Sequence, residues 1–158
     1  RSVNDMGQGT LCEVPWHPDI VPILVIPAFE VPTAKARKVL PSTYSRADAV
    51  YTIGHLGLLL RALETGNGDW IRTAIGDRIH EPYRKTLIPG YDAVVQAALT
   101  TGAYGVTISG AGPTLLALGS PDRAGAIAER MAATWQQQGI DVVDADTLQI
   151  DAIGARVS

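Results

Sequence analysis

Four residues, Gly110-Ala111-Gly112-Pro113, separate two short apolar runs, Tyr104–Ser109 and Thr114–Gly119. Strand-like runs joined by so short a glycine-rich stretch form a hairpin. Gly110 and Gly112 allow the positive φ that such a turn uses and that a Cβ disfavours. The turn is expected at Gly110–Gly112, flanked by strands near Val106 and Leu116. The rest of the chain must then pack on an antiparallel pair.

Upstream, Ile20–Phe29 (IVPILVIPAF) is rich in Val and Ile and is expected as a buried strand, with Pro22 and Pro27 at its ends or on an edge. Leu11–Val14 is a candidate short strand. Pro32 and Thr33 open a helical segment with Thr33 at the N-cap, and Pro41 closes it after Leu40. A long helix is predicted over Arg46–Glu64, where Val50, Ile53, Leu56, Leu60 and Leu63 recur close to the helical period. Ser45 and Asp48 form its capping signature, and Gly66 and Gly68 end it. Asp69–Arg78 is a shorter helix, capped by Asp69 and stopped near Pro82. Pro89–Thr101 and Pro121–Gln138 are two more, closed by Gly102 and Gly139. Ile140–Ala145 is a strand, and Leu148–Val157 is expected as another. Hairpin-linked strands with helices on one face give an α+β fold, and a ferredoxin-like sandwich with a mainly antiparallel sheet fits the order best.

The 158 residues suit one domain, with residues 1–18 as a lead-in; no repeat, low-complexity tract or long linker divides them. With 46% hydrophobic and 18% charged residues, the chain is expected to be soluble and globular. A net charge of −3 argues against a nucleic-acid partner but leaves room for a small anion gripped by one or two Arg. The lone Cys12 excludes an intrachain disulfide and points to a reducing cytoplasm; it suits a packed strand position better than a nucleophile. No apolar run reaches the ~20 residues of a membrane span, and no signal peptide is evident, so no membrane association is expected. The chain opens on Arg1-Ser2-Val3 without Met, which fits a cut or processed piece or the remnant of a removed tag.

Three segments carry chemistry. Ser109-Gly110-Ala111-Gly112-Pro113-Thr114 could let a backbone or a phosphate approach closely. It lacks the Lys and following helix of a Walker loop, and on physical grounds alone a plain hairpin turn is the default reading. In Val31–Pro41 (VPTAKARKVLP), Thr33 and Arg37 share one helix face and could hold a carboxylate; the bland reading is a cap and a solvated Arg. Asp77–Gly90 (DRIHEPYRKTLIPG) packs Asp77, His80, Glu81, Tyr83 and Arg84 between prolines, a composition frequent in site-building loops. His17, His55 and His80 show no metal-ligand spacing, so no metal is assigned.

The order and wording of these segments resemble the homoserine kinase branch of the GHMP kinase superfamily. SGAGPT is similar to the third conserved GHMP motif. VPTAKARKVLP, followed by Asp48–Tyr51 (DAVY), Asp77–Arg84 (DRIHEPYR) and Leu87–Gly90 (LIPG), resembles the homoserine kinases in particular. The resemblance runs from His17 to Gly119, more loosely to the C-terminus. SGAGPT alone is specific only to the superfamily; the set of three is far more specific.

The resemblance implies a ferredoxin-like C-terminal, substrate-side domain lying against an N-terminal domain that binds ATP. It assigns the substrate carboxylate to Arg37 and Arg84 and places Thr33 near substrate. Guanidinium forks suit a carboxylate better than Lys does. Ser109, Gly110, Ala111 and Gly112 would pack beside the phosphate loop of the other half. The reaction implied is transfer of the γ-phosphoryl of ATP to L-homoserine, with Mg2+, in threonine biosynthesis. The proline- and glycine-rich nucleotide motif and its acidic Mg2+ ligand are absent from the sequence, so this chain alone is expected to be inactive, with no cofactor bound. Asn is often found where Thr52 stands, so Thr52 is given no role, and no catalytic base is assigned. A homodimer is compatible with the sequence. The alternatives are another GHMP small-molecule kinase and a non-catalytic amino-acid-binding module of ferredoxin-like fold.

Overall fold

A computed structural model of the chain describes residues 2–3, 9–10 and 13–151. Ser2–Val3 (β1) and Gly9–Thr10 (β2) form a small antiparallel ladder. The main sheet has four strands: β3 (Val21–Pro27), β4 (Gly105–Ile108), β5 (Leu115–Gly119) and β6 (Val142–Thr147). Their spatial order is β4-β5-β3-β6, and every neighbouring pair is antiparallel. Helices make the crossovers from β3 to β4 and from β5 to β6. This is the split βαβ arrangement of a ferredoxin-like sandwich.

The helices are α1 (Thr33–Lys38), α2 (Arg46–Thr65), α3 (Gly68–Ala74), α4 (Glu81–Arg84), α5 (Tyr91–Thr101) and α6 (Pro121–Gln137), with a 3-10 turn at Lys85–Leu87. Strand side chains alternate between faces. Ile23, Val25, Leu115 and Ala117 pack with Val94 and Ala98 of α5 and with Ile127, Met131 and Trp135 of α6. On the alternate phase, Leu118 and Ile20 meet Ala62 and Leu63 of α2 and Ile71 of α3. The expected helical layer is thus α5 and α6, and a smaller cluster forms on the other side of the sheet. Trp135 is fully buried, and its indole N–H donates to the Pro89 carbonyl at 3.0 Å, so no polar atom is stranded there.

β3 is central, although it holds two prolines. The ladder geometry explains this. The Pro22 carbonyl accepts from Leu148 N–H at 2.8 Å, just past the Ile23–Thr147 end of the β6 ladder. Pro27 lies past the Val25–Leu115 end of the β5 ladder, beside a register shift. Neither missing N–H falls inside a ladder that needs it.

Several local expectations are corrected. Pro32 occupies the N-cap of α1 in an extended conformation and offers no side-chain acceptor, so Thr33 is the first helical residue and not the cap. Asn67, not Asp69, caps α3: its Oδ1 accepts from Trp70 N–H at 3.0 Å. Gly66 alone supplies the left-handed end of α2, at φ 71°, and Gly68 already belongs to α3. α3 stops at Ala74, and Asp77 then captures the following amides in a competing turn. Pro82 sits in the first turn of α4, where its lacking N–H is harmless, so it opens a helix instead of stopping one. Glu13 and Val14 lie in no strand, and Leu11 and Cys12 are outside the described residues. β6 ends at Thr147; beyond the one bond from Leu148 N–H to Pro22, Leu148–Asp151 belong to no strand, and residues 152–157 of the expected last strand are outside the described residues.

Candidate functional site

The Asp77–Gly90 segment and the glycine turn meet beside β4. A cavity of about 220 Å3 lies between them, lined by Asp77, His80, Glu81, Arg84, Thr107, Ile108 and Gly110. Asp77 builds its floor. Its carboxylate accepts from the backbone N–H groups of Ile79 (2.7 Å), His80 (2.8 Å) and Glu81 (3.1 Å). His80 Nδ1 lies 3.3 Å from the same carboxylate. Burial pushes the Asp77 carboxyl up, but the three backbone donors and the neighbouring His80 outweigh it and hold Asp77 below the usual carboxylate range.

The segment is braced from α2. Arg78 N–H donates to Thr52 Oγ1 at 3.2 Å, and the Arg78 guanidinium lies 3.7 Å from the Tyr51 ring centroid. Thr52, given no role by sequence, thus helps seat the loop that carries the site.

Arg84 reaches across to the turn: Nη1 donates to the Gly110 carbonyl at 2.8 Å. Glu81 accepts from the Tyr91 hydroxyl at 2.8 Å through Oε1. Burial, and after it the nearby Asp77 and Asp92, push the Glu81 carboxyl up against the opposing pull of Tyr91 and Lys85. Burial and the Glu81 charge push the Tyr91 phenol up as well. Two buried atoms at this site have no hydrogen-bond partner among the described residues, Glu81 Oε2 and Arg84 Nε.

The turn has the expected form. Ser109 N–H donates to the Thr114 carbonyl and Gly112 N–H to the Ser109 carbonyl, with Gly110 at φ 60° and Gly112 at φ 84°. Ala111 is the residue between them. The Gly112–Pro113 peptide is cis.

The structure therefore brings Arg84 and Gly110 into direct contact. Thr33 and Arg37 are exposed on α1 and do not line this cavity, and no hydrogen bond or ion pair joins either to Arg84. Tyr91 was not legible as a site residue. Its only sequence signal is an aromatic just after Pro89-Gly90, which is also what a core position looks like. A larger groove, about 760 Å3, runs between Glu13–Pro22 and Leu148–Asp151 and shares no residue with the Arg84 cavity. Among the described residues, no three His, Cys, Asp or Glu are grouped to hold a metal ion. Nor, among the described residues, is any helix long and apolar enough to cross a membrane.

Known proteins share this sequence and fold. The family model for the C-terminal domain of GHMP kinases matches residues 59–137. Homoserine kinase of Trichormus variabilis is 57% identical over 145 residues, covering 92% of this chain and 48% of that protein. Homoserine kinase of a Synechococcus strain is 51% identical over 151 residues, covering 96% of this chain and 49% of that one. The crystal structure of homoserine kinase from Cytophaga hutchinsonii superposes with TM-score 0.84 at 33% identity, over 88% of this chain and 44% of that chain. Phosphomevalonate kinase of Streptococcus pneumoniae shares the fold alone, with TM-score 0.64 at 14% identity. The chain spans about half the length of the curated relatives it matches.

Proposed function

The chain belongs to the GHMP kinase C-terminal family, and from that premise we propose that it is the acceptor-binding half of a homoserine kinase. The observation that carries this reading is the junction of the two characteristic segments: Arg84 bonds the glycine-turn carbonyl and lines a cavity sized for a small molecule. In this reading Arg84 holds the carboxylate of L-homoserine, and Arg37 and Thr33, exposed on α1, close on the substrate from outside the cavity. A guanidinium grips a carboxylate in a fixed plane, which aims the far hydroxyl of the amino acid. ATP would supply the phosphoryl group. The turn residues Ser109–Gly112 would abut the loop that carries its phosphates, which lies in the amino-terminal half. Mg2+ would be held by that half too, where the resemblance puts its acidic ligand. Phosphoryl transfer depends mainly on such positioning and on charge stabilisation.

The amino-terminal half would seat on α2. Its apolar stripe is open, with Val50 62% and Ile53 71% exposed, and the relatives carry about as much chain again as they share with this one. In this reading the second half lies against the helix that braces the Asp77 loop. The setting is the cytoplasm, with homoserine feeding threonine synthesis.

The test is turnover by the full-length protein, followed as ADP release with homoserine, mevalonate and simple sugars as acceptors. Homoserine should be strongly preferred. Arg84→Ala and Arg37→Ala should each weaken homoserine by about tenfold to a hundredfold, the loss of one charge-assisted contact. Melting temperature should hardly move, because neither residue is in the core. Unchanged affinity with lost stability would make both arginines structural. This chain alone should give no turnover; activity abolished by Arg84→Ala would refute the division of labour.

A further inference from the structure

Asp48, Tyr51, Thr52 and His55 of α2 stand at i, i+3, i+4 and i+7, a spacing that puts them on one helix face. Three of them meet Arg78, and the fourth backs Tyr51. The Arg78 guanidinium lies 3.7 Å from the centroid of the Tyr51 ring. The His55 ring lies 3.6 Å from the same centroid, at an interplanar angle of 23°. Two groups so close to one centroid cannot share a face, so the Tyr51 ring is held between them. His55 Nδ1 donates to the Tyr51 carbonyl at 2.8 Å, which pins the imidazole. Thr52 Oγ1 accepts from Arg78 N–H at 3.2 Å, and the Asp48 carboxylate lies 3.8 Å from the guanidinium.

Gly76 completes this seat. Its φ is not positive, so its backbone conformation does not require glycine. A Cβ there would meet the Tyr51 hydroxyl oxygen at 2.9 Å, while the nearest ring carbons would stay at 3.7 and 3.8 Å. The hydroxyl therefore occupies the space that a side chain at position 76 would need. The Arg78 side chain is 50% exposed, and contacts of that kind add little stability. What they fix is the place of the loop. Asp77 ties the amides of Ile79, His80 and Glu81 together, and α4 follows at once. α4 is a single turn, too short to hold its own direction.

We infer that Tyr51 is a positioning residue: gripped between His55 and Arg78, its ring fixes the Asp77 loop on α2 and, through α4, the place of the Arg84 guanidinium. This rests on the acceptor reading above, in which Arg84 touches substrate and Tyr51 does not.

The experiment measures kcat/KM for L-homoserine, KM for ATP and melting temperature in the full-length protein. Tyr51→Leu should lower kcat/KM for homoserine about tenfold to a hundredfold, the scale for a binding group displaced by about an ångström. KM for ATP and melting temperature should hardly move. Tyr51→Phe keeps the ring and should keep most of the activity. Gly76→Ala should act like Tyr51→Leu, because the ring is clamped and the new Cβ displaces the stack. Adding Tyr51→Phe to Gly76→Ala removes the clashing oxygen and should restore turnover. A Gly76→Ala enzyme with no loss, or with a loss that Tyr51→Phe does not repair, overturns the inference. So does a Tyr51→Leu enzyme that loses melting temperature and handles both substrates equally badly, which is what a merely structural residue would give. If the wild type phosphorylates no homoserine at all, the acceptor reading falls and the positioning role with it. If it does so and Tyr51→Leu matches it, only the positioning role falls.

Discussion

The two longest helices among the described residues, α6 and α2, meet opposite fates. α6 buries Ala124, Ile127, Ala128, Met131 and Trp135 against the sheet. α2 is longer, yet its buried residues are only Ala62 and Leu63, in its last turn. Val50, Ile53, Leu56 and Leu60 stand in solvent. Periodicity names the face of a helix that avoids water. It does not say whether the partner for that face lies in the same stretch of chain. The difference matters for function, because α2 also supplies Thr52 and Tyr51 to the Asp77 loop.

The comparison is sharpened first at its rigid end. Trp135→Ala removes the largest fully buried side chain and leaves the Pro89 carbonyl without its indole donor. The expected loss is about 3–5 kcal/mol of unfolding free energy, read from urea denaturation of this chain. A loss below about 1 kcal/mol would mean that the α6 layer is not the core.

A smaller effect is expected at the hinge between the two regions. Asp77→Ala strips three backbone N–H groups of their acceptor. The carboxylate is partly exposed, so water replaces some of what is lost, and about 1 kcal/mol is expected. The pH dependence has a definite sign. The Asp77 pKa is lowered by folding, so its contribution is present above 3.8 and fades as pH falls through the folded value. The acid limb of the stability profile should therefore flatten in the variant. A parallel shift at every pH, with the acid limb unchanged, would show that Asp77 acts only as a neutral acceptor.

Much of this fold is legible in the sequence. The hairpin followed from two apolar runs and a glycine turn, because only a few backbone conformations join strands so closely. The Ser45 cap followed from a local contact, and its Oγ does accept from Asp48 N–H at 3.0 Å. The site was legible only in outline. Arg84 is a candidate by its segment alone, but its grip on the Gly110 carbonyl spans 26 positions, and no local pattern encodes that. Glu81 and Tyr91 share a half-buried hydrogen bond across α4 and α5, and each residue alone has an ordinary explanation. Pro82 misled because proline opens and closes helices alike, and only the position of the preceding turn decides which.

The smallest effect is expected on the open face of α2, and it tests the comparison most directly. Ile53 is 71% exposed, so replacing it with Asp in this chain removes little apolar area from a dry environment. The change carries a slight loss of helix propensity and no cavity. Unfolding free energy should move by no more than about 0.5 kcal/mol, as for surface sites generally. Leu56→Asp, on the same stripe, should behave alike. In the full-length protein the prediction reverses. If the amino-terminal half covers the stripe, the same carboxylate is driven into an apolar contact, at a cost of several kcal/mol unless the halves part. The halves should then come apart in limited proteolysis, and turnover should fall, while this chain with the same substitution stays folded. Equal, negligible effects in both proteins would leave α2 open in the full-length protein and put the second half elsewhere. A large loss in this chain alone would show that the face packs within it, and the contrast between α2 and α6 would disappear.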